Sequence, residues 1–164
     1  MNIRPAIHSD CDAIWGIFHS VVASGDTYVF DPAMSRDAAL AYWFAAGTHT
    51  YVAEHAGKMA GTYILKANQP GLGAHIANAA FMVSPDARGL GVGKSMGVHC
   101  LEEARALGFR AMQFNFVVST NEAAVGLWKQ LGFRIVGTLP GAFRHARLGD
   151  VNAYVMFREL DSDG

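Results

Sequence analysis

An α/β fold built on a central mixed sheet is what this 164-residue sequence predicts, and three observations carry it. Segments with helical spacing of apolar residues interleave with short β-type runs in the order β-α-α-β-β-β-α-β-α-β-β. Two of the helical segments end in the same tripeptide, Leu-Gly-Phe, ahead of a strand. One strand, His75–Ser84, is apolar on both faces, which places it centrally in the sheet.

The elements follow in chain order. In "SDCDAIWGIFHSVVASG", Ser9 is the expected N-cap, Ile14, Phe18 and Val21 share one helical face, and Gly25 ends the run. Ser35 to Gly47 repeats that scheme over a shorter span, after an aromatic, proline-bearing connection, "DTYVFDPAM". The stretch from Thr48 to Asn68 reads as two strands joined at Ala56-Gly57. After the central strand, Met96, Cys100, Leu101, Ala104 and Leu107 mark a helix that stops at Gly108. "RAMQFNFVVS" is the next strand, and Asn121 caps a helix that Gly132 terminates. "RIVGTL" and "DVNAYVMFREL" are the last strands, with "PGAFRHARLG" expected as the loop between them. No linker, repeat or low-complexity tract divides the chain, so one domain over 1–164 is expected.

Composition narrows the function classes. Half the residues are hydrophobic and the formal net charge is −1, so no global field attracts nucleic acid or an anionic membrane. Any anion site must be local. Cys11 and Cys100 are too few for a disulfide framework or a cysteine-based zinc site, and the seven histidines are scattered singly. No metal is expected. The N-terminus lacks the apolar run of a signal peptide, so the expected compartment is the cytoplasm.

The stretch "DARGLGVGKS", residues 86–95, admits three readings. A nucleotide P-loop requires a glycine where Arg88 stands, and the dinucleotide glycine pattern fails in both registers. "GKSMG" matches the serine-hydrolase elbow, but Ser95 falls inside the helix, beyond the strand-to-helix turn the elbow needs. The third reading is an anion clamp. Arg88 supplies charge, Gly89, Gly91 and Gly93 allow close backbone approach, and the helix N-terminus presents unpaired N–H groups.

Residues 88–93, with the preceding strand "HIANAAFM", resemble the acetyl-coenzyme A motif R/Q-x-x-G-x-G/A of the GCN5-related N-acetyltransferases. "NEAAVGLWKQLGFRIVGTL" resembles that family's second conserved segment, and the order of elements agrees along the chain. The resemblance is closest to small bacterial enzymes that acetylate amines, amino acids or phosphinothricin-like compounds.

The resemblance implies a sheet with splayed central strands, helices on both of its faces, and acetyl-CoA as co-substrate without a metal. Phe81, Met82 and Val83 would meet the acetyl and pantetheine groups, with an N–H there polarising the thioester carbonyl. Arg88, Gly89, Leu90, Gly91, Val92, Gly93, Lys94 and Ser95 would hold the pyrophosphate, and Asn121 would reach the coenzyme from the next helix. The strand glutamate that often serves as base in this family is replaced by Asn78, and Trp128 stands in the stretch that usually supplies a general-acid tyrosine. His75 and Glu54 are the base candidates that remain. Cys100 sits on an apolar helix position and reads as a packed thiol, so direct transfer is expected over a ping-pong route. Tyr28, Phe30, Asn78 and His145 are the acceptor-side candidates.

The implied activity is acetyl transfer to a primary amine of a small molecule. A protein or peptide acetyltransferase and a non-catalytic acyl-CoA sensor are the alternatives. The family's habit suggests a homodimer.

Overall fold

A computed structural model describes residues 1–161. Its elements run β1 (Asn2–Pro5), α1 (Cys11–Ala23), α2 (Arg36–Trp43), β2 (His49–His55), β3 (Lys58–Ala67), β4 (Ile76–Val83), α3 (Val92–Ala106), β5 (Ala111–Val118), α4 (Glu122–Gln130), β6 (Arg134–His145) and β7 (Gly149–Glu159). The seven strands form one sheet in the order β1-β2-β3-β4-β5-β7-β6, so the strand read as central is fourth of seven. Every neighbouring pair is antiparallel except β4 and β5.

Period-two alternation along the strands feeds two apolar layers. On one face Val52, Ile64 and Met82 pack under α1 and α2, against Ile14, Phe18 and Trp43. On the other, Tyr63, Leu65, Ala77 and Ala79 pack under α3 and α4, against Met96, Cys100 and Trp128. The helices therefore cover both faces of a mixed sheet.

Local chemistry explains most boundaries. Ala56 and Gly57 both have positive φ, the turn geometry whose twist matches a two-residue hairpin between β2 and β3. Both Leu-Gly-Phe stops are left-handed glycine caps. Phe109 N–H reaches back to the Ala104 carbonyl (3.0 Å) and Phe133 N–H to the Trp128 carbonyl (2.9 Å), as the Schellman arrangement requires.

Two expectations are corrected. Ser9 does not cap α1. The Asp10 carboxylate accepts from Ile7 N–H (2.8 Å) and pairs with the Arg4 guanidinium (2.8 and 2.9 Å), drawing His8–Asp10 into a 3₁₀ turn. That competition delays α1 to Cys11. Nor is 140–149 a long loop, because β6 runs on to His145. Register shifts between Ile135 and Gly137, and again between Leu139 and Phe143, let this edge strand carry Pro140, which has no N–H to give the ladder.

Candidate active site

The site begins where the parallel pairing fails. β4 and β5 pair only at Ile76–Ala111 and Ala77–Met112 and then diverge. At the point of divergence the Asn78 carboxamide donates to the Gln113 carbonyl (2.9 Å), stitching the base of the fork. A bulge at Asn115–Phe116, where the β5–β7 register shifts between Phe114 and Val117, bends β5 away.

Strand parity then determines what faces the gap. Ser84 N–H bonds to the Ala60 carbonyl and Asn68 N–H to the Ile76 carbonyl, each at 2.8 Å. With the β3–β4 register, this directs the backbone of even-numbered β4 residues to β3. The odd-numbered Ala79, Phe81 and Val83 turn theirs toward the fork. The Met82 backbone is thus committed to β3 opposite Thr62, and its side chain is buried in the α1–α2 layer.

The fork opens into a cavity of ≈ 760 Å³. On the α3 side its wall includes Arg88, Gly89, Gly91, Val92, Gly93 and Lys94, with Asn121 arriving from the start of α4. Gly89 and Gly91 both adopt left-handed backbone, with open space where a Cβ would project. Arg88 and Lys94 are exposed and form no ion pair among the described residues. Leu90 and Ser95 stand outside this wall. Leu90 points to solvent, and Ser95 N–H closes a helical turn on the Gly91 carbonyl (3.0 Å).

The serine-elbow match has a packing explanation. A Cβ on Gly97 would lie 2.6 Å from Leu131 Cδ1 and 3.2 Å from Trp128, so this glycine is what lets α3 and α4 approach. Trp128 itself packs on Phe81, Phe114 and Phe133 with centroids 4.8, 4.7 and 6.0 Å away. It forms part of the cavity floor. Cys100 is fully buried, and burial pushes its thiol well above the usual range, which suits packing and not nucleophilic attack.

On the α1 side the wall comes from the segment after α1, with Asp26, Tyr28 and Phe30, joined by Tyr42 of α2. Phe30 packs between Phe18 and Tyr42 at 5.1 and 5.0 Å. The Tyr28 hydroxyl donates to the Phe81 carbonyl and accepts from Phe81 N–H (3.0 Å), so it satisfies both fork-facing groups of that residue. Burial pushes its phenol up to about 12, and it stays neutral at physiological pH.

The two base candidates lie elsewhere. His75 is exposed just before β4, at the closed end of the fork, where its carbonyl accepts from Arg110 N–H (2.9 Å). Glu54 is at the hairpin end of β2, accepting from Arg4 (2.8 Å) and Asn2 (3.1 Å), and Arg4 holds its carboxyl below the usual range. Neither lines the cavity. His145 is buried in the β6–β7 turn, where its Nδ1 accepts from the N–H groups of Arg147 (3.0 Å) and Leu148 (3.2 Å). It lines a second cavity of ≈ 430 Å³, which shares Asp26, Thr27, Asn121 and Ala123 with the first.

Asp26 and Asn115 are wall residues that sequence reasoning passed over. Asp26 carried a signal, being the charge two residues before Tyr28 in an aromatic segment. Asn115 gave less, and its carboxamide contacts with Gln113 (2.9 Å) and Asn68 (2.7 Å) depend on the bulge. Among the described residues, no three His, Cys, Asp or Glu side chains gather as a metal site, and no helix is long and apolar enough to cross a membrane.

Residues 15–133 match the model of the acetyltransferase (GNAT) family. The chain is 30% identical over 151 residues to N-acetyltransferase aca1 of Schizosaccharomyces pombe, covering 82% of this chain and 72% of that protein. It superposes on the structure of a GCN5-related N-acetyltransferase from Kribbella flavida with a TM-score of 0.93 and 42% identity, covering 97% of both chains. A similar likeness, at TM-score 0.86 and 25% identity over 100% of this chain and 96% of the other, links it to yncA, a putative acetyltransferase from Salmonella typhimurium seen with its cofactor acetyl-CoA.

Proposed function

Because this chain belongs to the GNAT family of acetyltransferases, we propose that it moves an acetyl group from acetyl-CoA to the primary amine of a small molecule by direct attack. The observation that carries this reading is the forked cavity. It has β4 backbone beyond Ala77 with no β5 partner along one edge, and Arg88 and Lys94, without ion pairs among the described residues, beside left-handed glycines at its α3 end. These features fit an anionic coenzyme whose arm lies between the strands. The open space at Gly89 and Gly91 is the close approach that a pyrophosphate needs.

When bound, acetyl-CoA supplies an activated thioester. The chain's own residues do the rest. Arg88 and Lys94, with the backbone from Gly89 to Gly93, hold the diphosphate. Asn121 contributes its carboxamide while its Oδ1 also caps α4 through Ala124 N–H (3.3 Å). Phe81 and Val83 offer backbone groups to the arm. Since Tyr28 already occupies the Phe81 groups, coenzyme binding exchanges a phenol for a ligand at that residue. The Leu90 side chain turns to solvent, Ser95 N–H closes the first turn of α3, and Met82 lines the cavity from β4.

A small acceptor is supported by how the acceptor side closes. Ala146 N–H, at the β6–β7 tip, bonds to the Gly25 carbonyl (3.0 Å), and a Cβ on Gly25 would meet Ala146 Cβ at 2.9 Å. That contact ties the segment after α1 to the β6–β7 tip, beside Asp26 and His145 of the second cavity. Tyr28, Phe30 and Asn78 line the remaining space, and His145 faces the adjoining cavity. We take residues 1–164 as one acetyltransferase domain. Two free thiols, Cys11 and Cys100, agree with a cytoplasmic setting, and the exposed edge strand β6, with Val136 and Leu139 outward, suits a homodimer.

Thiol release from acetyl-CoA, measured over a panel of small amines and a panel of peptides with CoA binding followed in parallel, tests the reading. Turnover is expected on small amines. Turnover confined to peptides would move the assignment to protein acetylation, and tight binding with no turnover on either panel would leave a sensor.

A further inference from the structure

The fork cavity is sorted by charge. Its cationic wall groups, Arg88 and Lys94, belong to the loop and first turn of α3 on one face of the sheet. Asp26, the sole carboxylate on its wall among the described residues, belongs to the segment after α1, on the other face. Tyr28, its phenol pushed up by burial, is neutral at physiological pH, and Asn78 carries no charge.

The Asp26 carboxylate is held but not used up. Oδ1 accepts from the Ser24 hydroxyl, and Oδ2 lies 3.7 Å from the Arg147 guanidinium. Asp26 is about one-third exposed (31%) and Arg147 two-thirds (67%), so water screens their attraction and leaves the carboxylate net negative toward the cavity. Asp26 lines both cavities, and on the wall of the second Glu122 adds a second carboxylate against the single guanidinium of Arg147. Tyr28 and Phe30 beside it present ring surface suited to a cation, while the Tyr42 ring already carries Lys66 Nζ at 4.7 Å.

Resting on the acetyltransferase reading above, we propose that Asp26 anchors the acceptor. It draws the amine into the fork as an ammonium ion, at the end opposite Arg88 and Lys94, and so selects amines that are cationic at neutral pH. Opposite charges at the two ends keep coenzyme and acceptor from exchanging places. An anchored ammonium has no free lone pair, so it must lose one proton to bulk solvent to become the neutral amine that attacks the thioester.

Calorimetry on the CoA-saturated protein at pH 7 tests this with two probes of nearly equal shape. 2-Phenylethylamine is protonated there, and O-benzylhydroxylamine, in which an oxygen replaces one CH2, is uncharged. The wild type is expected to bind 2-phenylethylammonium at least about 10-fold more tightly, the low end of a charge-assisted hydrogen bond. Asp26→Asn should weaken the cation by about 10- to 100-fold on the same ground, and change the neutral probe less than about twofold. CoA affinity and melting temperature should stay unchanged. Arg147→Gln, at an exposed position, should tighten the cation by removing a competitor. Equal affinity of the wild type for both probes, equal loss of both in Asp26→Asn, or weaker cation binding in Arg147→Gln would each overturn the proposal. Wild-type turnover on the amine panel decides the acetyltransferase reading separately, whatever these variants do.

Discussion

The two ends of the fork cavity are built in different ways. The end proposed for the coenzyme comes almost entirely from one uninterrupted stretch, Phe81 to Lys94, a strand, a glycine-rich turn and the first turn of α3. The end proposed for the acceptor is assembled from the segment after α1, Tyr42 of α2, β5 at its bulge and the β6–β7 tip, which lie far apart in the chain. Recognition of a constant ligand fits a contiguous motif, because local backbone geometry alone makes the anion cradle. A variable ligand is met by loops that only the folded sheet brings together.

Four experiments press on that contrast, and the largest effect belongs to the floor both ends share. Trp128→Ala should destabilise the protein by about 3–5 kcal/mol, as a large-to-small change in a packed aromatic cluster does. A denaturant midpoint corresponding to less than about 1 kcal/mol would mean that the cluster does not support the fork. Next, Arg88→Ala should weaken acetyl-CoA binding by about 10- to 100-fold through loss of charge-assisted bonds, with acceptor affinity little changed. Equal coenzyme affinity in calorimetry would remove Arg88 from the clamp.

Tyr28→Phe probes the contact between the ends. It leaves the Phe81 N–H and carbonyl without their partner and should cost the free protein about 1–3 kcal/mol, with bound coenzyme restoring part of it. The phenol's folded pKa, about 12, lies above its unfolded value of about 10. The unfolded chain therefore ionises first, and stability falls as pH rises between those values. An alkaline melting series should show that loss in the wild type and a smaller one in the variant.

The smallest effects are expected at the two candidates that the fold carried away from the cavity. Glu54→Gln and His75→Ala should leave the pH–rate profile unchanged. Arg4 holds the Glu54 carboxyl below its usual range, so the stability this group contributes is present above its unfolded pKa and is lost as pH falls through the folded one. Glu54→Gln should therefore soften only the acid side of the melting curve. A displaced rate profile in either variant would return that residue to the reaction.

Much of this molecule was legible because the information was local. The paired Leu-Gly-Phe stops, the Ala56-Gly57 turn and the both-faces-apolar strand each follow from backbone rules that act within a few residues. Ser9 misled because its rival, Asp10, answers to Arg4 across a strand-to-helix junction. The β6 extension was hidden by Pro140, which an edge strand with bulges tolerates and a central one does not.

What the sequence determined by itself was the order of elements and the glycine-rich turn at residues 88–93, because helix caps, turns and a helix N-terminus need only neighbouring residues. Tertiary structure alone decided that Asn78 stitches the fork, that Tyr28 covers Phe81, that Glu54 and His75 stand apart, and that Asp26 lines the cavity. Those outcomes depend on where β4 parts from β5 and on which loops close over the gap. Neither is encoded within any one segment, since each depends on contacts between residues far apart in the chain.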